Sequence, residues 1–225
     1  MIVEDRELLD EQIRYYRARA AEYDTTTTPD EEPYAAAANR IRSALRAAKP
    51  AGRVLELAAG TGGWTALLAE YADELTAIDA SPEMLALNAA KVGDPLVRYR
   101  VADVFALPAT REHDVVFFGF WLSHVPPSRF EAFWDVVAGL LAPGGRALFV
   151  DEAHHLLWRE DWLDEAAGIV RRRLADGTEH RAVKVLWRAD DLQRRLIELG
   201  WDASVHAEEP FYWGQGRLKA DVSLS

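Results

Sequence analysis

Between residues 53 and 152, short apolar runs alternate with longer segments in which apolar residues recur every three or four positions. The apolar runs are RVLEL, ELTAID, VRYRVA, HDVVFFGF and GRALFVDE. Short runs of this kind predict buried strands, and the segments that begin near Gly63, Ser81 and Ser128 predict helices. This alternation indicates βαβ units, which build a parallel sheet with helices on both faces.

The two ends of the chain follow other patterns. Leu8, Ile13 and Tyr16 recur at helical spacing and predict an amphipathic helix over residues 5–23, followed by the loop TTTTPDEEP. The further elements that the pattern predicts are a helix over 34–48, a hairpin turning at Asp176-Gly177, a helix over 190–199, and a last strand pair in WDASVHAE and PFYWGQG.

Composition and charge narrow the classes of function. The chain has 225 residues, no cysteine, a net charge of −11 and a pI near 5.0. An acidic chain is a poor partner for nucleic acid, and the basic run Arg171-Arg172-Arg173 is interpreted as a solvated face. Since no signal peptide or apolar run of membrane-spanning length is found, we expect a cytoplasmic protein with no membrane partner. The absence of cysteine excludes disulfides and thiolate metal sites.

The segment ELAAGTG, at the end of the first predicted strand, indicates a cofactor site. Glycines in a turn between a strand and a helix let a ligand approach the backbone. A dinucleotide fingerprint would need a third glycine where Thr65 stands, and Glu56 would repel a pyrophosphate. A cofactor with an ammonium group and no phosphate would instead be attracted by the Glu56 carboxylate.

Two further acids end the next two strands. Asp79 follows Gly60 by 19 residues, where a carboxylate can accept both hydroxyls of a ribose. Asp103 ends the third strand and is placed to accept from an adenine amino group. Because ligands bind beyond the carboxyl ends of parallel strands, Glu56, Asp79 and Asp103 are expected to share one crevice.

The motifs ELAAGTG, AIDASPEML, VADVFALP, HDVVFFGFWLSHV and LLAPGGRALFVDE resemble, in this order, the class I S-adenosylmethionine-dependent methyltransferases. The resemblance implies a Rossmann-like α/β fold, doubly wound, with a seven-stranded sheet that is mostly parallel and has an antiparallel last strand. It also implies one methyltransferase domain over residues 1–225. Its parts would be an N-terminal helical lid (1–49), a cofactor-binding core (50–151), a cap insertion (152–188), and a last helix and strand pair (189–217).

The resemblance assigns S-adenosylmethionine as the cofactor and implies a role for each matching position. Glu56 would hold its amino group, Asp79 its ribose and Asp103 its adenine, while Gly60 and Gly62 let the backbone approach. The other implied cofactor positions are Ala58, Ala80, Met84, Val104, Gly119 and Phe120. Ala58 stands where the family commonly has a glycine. Tyr16 and Tyr23 are expected to close over the cofactor as a lid.

Candidate general bases are His124, after the fourth strand, and His154 or His155, after the fifth. Tyr15, Trp121 and His155 are predicted to contact the acceptor in an apolar, aromatic pocket beneath the N-terminal helix and the hairpin. No metal site is predicted.

A small molecule is the expected acceptor, and O-methylation of a carboxylate or phenol is favoured. N-methylation of a small amine is the alternative, since an acidic surface suits a cation. A non-catalytic cofactor-binding protein and a nicotinamide-dependent oxidoreductase are the rival classes. The protein is expected to be a monomer or a homodimer.

Overall fold

The computed structural model describes residues 3–26 and 34–219, and the side chains of Val3, Glu4, Thr26 and His155 lie outside the description. Most of the predicted loop TTTTPDEEP therefore also lies outside it. The strands are β1 Gly52–Leu57, β2 Ala72–Asp79, β3 Val97–Val101, β4 His113–Gly119, β5 Leu141–Glu152, β6 Trp162–Asp164, β7 Ile169–Arg173, β8 Glu179–Val183, β9 Trp201–Glu208 and β10 Phe211–Leu218.

The helices agree with the periodicity of the sequence. They are α1 Val3–Arg19, α2 Tyr23–Thr26, α3 Tyr34–Ala48, α4 Thr65–Ala69, α5 Pro82–Val92, α6 Phe130–Leu140 and α7 Ala189–Glu198. Helix α5 also has a favourable start: the Ser81 hydroxyl accepts a hydrogen bond from the Met84 amide at 3.1 Å, and Pro82 occupies the first turn. None of the helices in the described ranges combines the length and apolarity that crossing a bilayer requires.

The central sheet confirms the predicted fold class. Its strand order is β3-β2-β1-β4-β5-β10-β9, and β1 to β5 pair in parallel. The last strand, β10, runs antiparallel to both β5 and β9. Since the order reverses between β1 and β4, the crevice beyond their carboxyl ends is the position where open α/β sheets bind ligands.

Both faces of the sheet are buried, which is why its central strands read as continuous apolar runs. In β4, Val115 and Phe117 pack on the side of α3, α4 and α5, whereas Val116 and Phe118 pack on the side of α6 and α7. The strands β6, β7 and β8 form a separate small sheet with the predicted hairpin at Gly177. This small sheet packs against α1.

Candidate functional site

The ends of β1 and β4 carry backbone that is unusual for residues with a side chain. Ala58, after β1, has φ 50°, and Phe120, after β4, has φ 55°. Left-handed backbone at a non-glycine residue is unfavourable and concentrates at functional sites. The geometry at Ala58 gives the physical reason why a glycine suits this position.

The glycine turn is tied to the second strand through Asp79. One carboxylate oxygen accepts from the Gly60 amide at 2.9 Å, and the other accepts from the Ser81 amide at 2.8 Å. Burial raises the pKa of Asp79, while these backbone donors act in the opposite direction. The carboxylate is therefore held in a fixed orientation at the cavity wall, and its contact with a ribose stays a prediction.

Glu56 lies deeper than the sequence implied. Its side chain is 1% exposed, lines neither cavity, and accepts a hydrogen bond from the Thr65 hydroxyl at 2.7 Å. Burial raises the pKa of Glu56 to about 8, although the bond from Thr65 lowers it. Its predicted contact with a cofactor ammonium group stays a prediction.

Two joined cavities occupy the crevice. The first, about 360 Å³, is lined by the second and third strand ends, including Asp79, Met84 and Asp103. The second, about 1010 Å³, extends from the glycine turn to the small sheet. We call the residues that line both cavities the seam. They are Tyr16, Tyr23, Ala58, Gly60, Gly119, Phe120 and His124.

The cavities fit a two-part ligand such as the predicted cofactor. The acids Asp79 and Asp103 border the first cavity, where an adenosine needs polar partners. The backbone turn at Gly60 and Thr61 borders the second, together with Lys91, where the charged end of an amino acid can bind. Asp103 also accepts from the Phe105 amide at 2.9 Å and so starts a short 3₁₀ helix.

Tyr16 and His124 are joined at the seam. The Tyr16 hydroxyl lies 2.9 Å from Nε2 of His124, and Nδ1 of His124 lies 2.8 Å from the Val183 carbonyl oxygen. The Gln12 side chain holds the same corner, since it donates to the His124 carbonyl at 3.2 Å and accepts from the Val183 amide at 2.9 Å. Three segments distant in sequence therefore meet here: α1, the turn after β4, and β8.

Basic side chains line the second cavity beside aromatic ones such as Tyr15, Tyr34 and Phe211, so the cavity is aromatic as expected but not purely apolar. Eight lysines and arginines border it against three acids. The expectation that Arg171-Arg172-Arg173 forms a solvated face is wrong for Arg172, which is 21% exposed and pairs with Glu160 at 2.6 Å. Because β7 alternates its side chains, Arg172 is more buried than Arg171 and Arg173, which are 39% and 65% exposed although they also border the cavity.

Most of the predicted site residues line the cavities. The first cavity has Ala80, Met84, Asp103, Val104 and Trp121 in its wall, and the second has Tyr15. Gly62 lines neither cavity: its φ is 89°, and a β-carbon there would lie 2.7 Å from the Asn88 side-chain oxygen. This glycine is needed for packing against α5.

The histidines proposed as general bases lie in different parts of the structure. His124 lies at the seam, whereas His154 lies on the 3₁₀ helix His154–Arg159 and lines neither cavity, which gives no support to a role as base. The predicted acceptor contact of His155 falls outside the described side chains. Asp151, next to the fifth strand end, is buried and accepts from the Ser123 amide at 2.8 Å.

Sequence reasoning missed several residues of the site. Gln12, Arg159 and Lys184 carry no motif, and only the folding of α1 and the small sheet onto the strand ends reveals them. Lys184 is 4% exposed and contacts both Glu152 and the Ser123 hydroxyl. Thr65 had a signal, since it stands at the position where a dinucleotide fingerprint would have a glycine.

Comparison with known proteins agrees with this geometry. A family model described as a methyltransferase domain matches residues 54–145. An uncharacterized methyltransferase of Staphylococcus carnosus (strain TM300) is 31% identical over 142 residues, which cover 62% of this chain and 67% of the relative.

Two solved structures are more similar. "DhpI-SAH complex structure" is 43% identical, covers 95% of this chain and 98% of its own, and has a TM-score of 0.82. "DhpI-SAM-HEP complex" is 44% identical, with coverages of 93% and 97% and a TM-score of 0.81. The fold, the crevice and these similarities show that the chain belongs to the class I S-adenosylmethionine-dependent methyltransferases, with S-adenosylmethionine as its cofactor.

Proposed function

We propose that the protein methylates an ionised oxygen of a small oxyacid, with a carboxylate as the first expected acceptor. When bound, S-adenosylmethionine supplies a methyl group activated by a sulfonium. The chain's own task is then to hold the acceptor oxygen in line and to exclude water, which contributes up to about 7 to 11 kcal/mol in favourable systems. The basic second cavity, in a protein of net charge −11, is the observation that carries this proposal.

We also propose the cofactor contacts that the sequence implied. The amide-bound carboxylate of Asp79 binds the ribose, and Asp103 with Val104 borders the adenine. The left-handed backbone at Ala58 and the open side of Gly60, where a β-carbon would meet nothing within 4 Å, leave the turn accessible to the amino-acid end. Glu56 is buried behind this turn, from where it holds the amino group of the cofactor.

Three cations that line the second cavity support an anionic acceptor. Lys184 lies between Ser123 and Glu152, and Arg172 is largely buried beside Glu160. The Arg159 guanidinium donates to the Tyr34 hydroxyl at 2.6 Å. Burial acts to raise the pKa of Glu152, but Lys184, followed by Arg172 and Arg159, outweighs burial and lowers it, so all three cations act on one corner of the cavity. Arginine forks bind carboxylates and other planar or tetrahedral oxyanions through paired hydrogen bonds.

The lowered pKa and the hydrogen bonds of His124 favour an acceptor that is already ionised. Burial, followed by the positive charge of Lys184, lowers the pKa of His124 well below its ordinary value. One ring nitrogen lies against the Val183 carbonyl and the other against the Tyr16 hydroxyl, so no lone pair is left for an acceptor's proton. A carboxylate needs no base at neutral pH, whereas a phenol does.

The same wall disfavours the amine alternative. A protonated amine would enter a cavity in which cations outnumber acids by eight to three. Like charges at short range are costly where water is excluded. The acidic character of the whole chain, which suggested a cationic acceptor, belongs to other parts of the surface.

A panel of acceptors tests the proposal. The purified protein is incubated with S-adenosylmethionine and aliphatic carboxylic, phosphonic and sulfonic acids, phenols or amines. HEP joins the panel because one of the two similar solved structures is a complex of DhpI with SAM and HEP. Formation of S-adenosylhomocysteine and the mass of the methylated product are measured. Turnover with at least one oxyacid class and none with amines is expected; turnover with amines alone, or with nothing, would refute the proposal.

Variants of the wall locate the acceptor. Arg172→Met and Lys184→Met are expected to raise the KM for the acid roughly tenfold or more, because each removes a charge-assisted hydrogen bond, and not to weaken cofactor binding. Arg98→Met is the matched control, since Arg98 pairs with Glu74 on the opposite edge of the sheet. An unchanged KM in both wall variants contradicts the assignment of this wall.

The division of the chain into lid, core, cap and terminal part is proposed with the function. Ion pairs join the lid to its surroundings: Arg17 to Glu83 at 2.8 Å, and Glu11 to Arg181 at 2.8 Å. The first pair joins α1 to the core, and the second joins α1 to the cap. Limited proteolysis with and without S-adenosylmethionine tests this, and the lid should become more resistant when the cofactor binds.

A further inference from the structure

The hydrogen bonds at His124 leave one arrangement of protons. The Val183 carbonyl oxygen can only accept, so Nδ1 of His124 must carry the hydrogen at this 2.8 Å contact. A neutral imidazole then has only a lone pair at Nε2. The Tyr16 hydroxyl, 2.9 Å away, must therefore donate its proton to His124.

Protonation states agree with this arrangement. Burial keeps His124 neutral by lowering its pKa, and burial raises the pKa of Tyr16 well above its ordinary value. The ring of Tyr16 packs edge-on against the ring of His124, with centroids 5.3 Å apart. Gln12 holds the Val183 and His124 backbones together, so the direction of the whole chain of hydrogen bonds is determined. Such a chain polarises each member in the same sense.

The Tyr16 oxygen consequently has only lone pairs left for the seam. Apart from His124, the polar side chains there are Tyr16 and Tyr23, and the other members are Ala58, Gly60, Gly119 and Phe120. This inference rests on the cofactor contacts proposed above, in which the adenosine end occupies the first cavity and the amino-acid end the second. The sulfur joins the two ends, so that placement brings it to the seam.

We propose that Tyr16, oriented by His124, distinguishes the positively charged sulfonium of S-adenosylmethionine from the neutral thioether of S-adenosylhomocysteine. An oxygen that presents only lone pairs attracts the cation and gains nothing from the thioether. This matters because Arg172, Arg19 and Lys184 surround the same corner and would otherwise repel the sulfonium. Tyr16 thus favours binding of the methyl donor and release of the demethylated product, and His124 is a positioning residue, not a base.

The ratio of two dissociation constants tests this directly. Titration calorimetry measures the affinities of S-adenosylmethionine and S-adenosylhomocysteine for the wild type and for Tyr16→Phe. We expect the preference for the charged cofactor to fall by about threefold to tenfold in Tyr16→Phe, the effect of one hydrogen-bond-strength interaction. No acceptor is present, so this result is independent of whether the oxyacid proposal holds.

Two further variants separate orientation from packing. His124→Phe keeps an aromatic ring but frees the Tyr16 proton to turn into the seam, so the preference should fall as in Tyr16→Phe. His124→Gln retains an acceptor near the position of Nε2 and should restore most of it. The double variant Tyr16→Phe/His124→Phe should lose no more than Tyr16→Phe alone, because both changes act through one oxygen.

Tyr15→Phe is the matched control. Tyr15 is the neighbouring residue of α1, is 3% exposed and lines the second cavity only. Its substitution should leave the ratio of the two affinities unchanged. If Tyr16→Phe weakens both ligands equally, or neither, the proposal is overturned. Equal effects of Tyr15→Phe and Tyr16→Phe on the ratio would overturn it as well.

Discussion

The buried carboxyl of Glu56 makes the stability of the protein depend on pH in a direction opposite to that of most acids. Its pKa rises from an ordinary value of 4.5 to about 8 because burial disfavours the charged form. Below pH 4.5 the carboxyl is protonated in both the folded and the unfolded chain, and folding carries no penalty. Between pH 4.5 and about 8 the unfolded chain ionises while the folded chain does not, so stability falls as the pH rises.

The size of the effect follows from the shift. A change of pKa from 4.5 to about 8 corresponds to a loss of at most about 5 kcal/mol across this interval, complete once the pH exceeds the folded value. Glu56→Gln removes the titration but keeps an oxygen that can accept from the Thr65 hydroxyl. The free energy of unfolding of Glu56→Gln minus that of the wild type should therefore increase steadily from pH 5 to pH 8.

Urea unfolding of both proteins at pH 5, 6, 7 and 8 measures this difference, in which the other ionisable groups cancel. Glu70→Gln is the control, because Glu70 lies on the surface and pairs with Arg46. A difference between Glu56→Gln and wild type that does not change with pH would refute the reasoning. Saturating S-adenosylmethionine should flatten the dependence, since the predicted contact of Glu56 with the cofactor's ammonium group would favour the ionised carboxylate.

Three other substitutions test the cofactor turn. Asp79→Asn should weaken S-adenosylmethionine binding at least about tenfold by calorimetry, because the side-chain amide has one oxygen to accept with, and its NH2 group would face the other backbone donor. Ala58→Gly should raise the free energy of unfolding by about 1 kcal/mol, since glycine adopts φ 50° without strain; no gain would contradict this. Gly62→Ala should lower thermal stability by roughly 1 to 3 kcal/mol through strain and contact with Asn88, whereas an unchanged melting temperature would show that α5 can shift.

Local pattern predicted the core of this molecule well. The apolar runs form β1 to β5, α5 begins next to its predicted start at Ser81, and Asp79 and Asp103 lie at the cavity wall as strand-end acids. These features depend on periodicity and on the rule that parallel strands present their carboxyl ends together, and both can be recognised along the chain. The depth of Glu56 could not be predicted, because an acid at the end of a strand has the same sequence pattern whether it faces the cavity or lies behind the turn.

The sequence by itself determined the Rossmann-like sheet, the cofactor and the family, since these reside in short motifs whose residues are neighbours along the chain. Only the tertiary structure decided the basic character of the second cavity. Arg172, Lys184 and Gln12 come from elements far apart in sequence, and their charges meet only because α1 and the small sheet fold over the strand ends. The roles proposed for Tyr16 and His124 depend on the same contacts between distant elements, since the position of the proton on His124 is set by the carbonyl of Val183, 59 residues away.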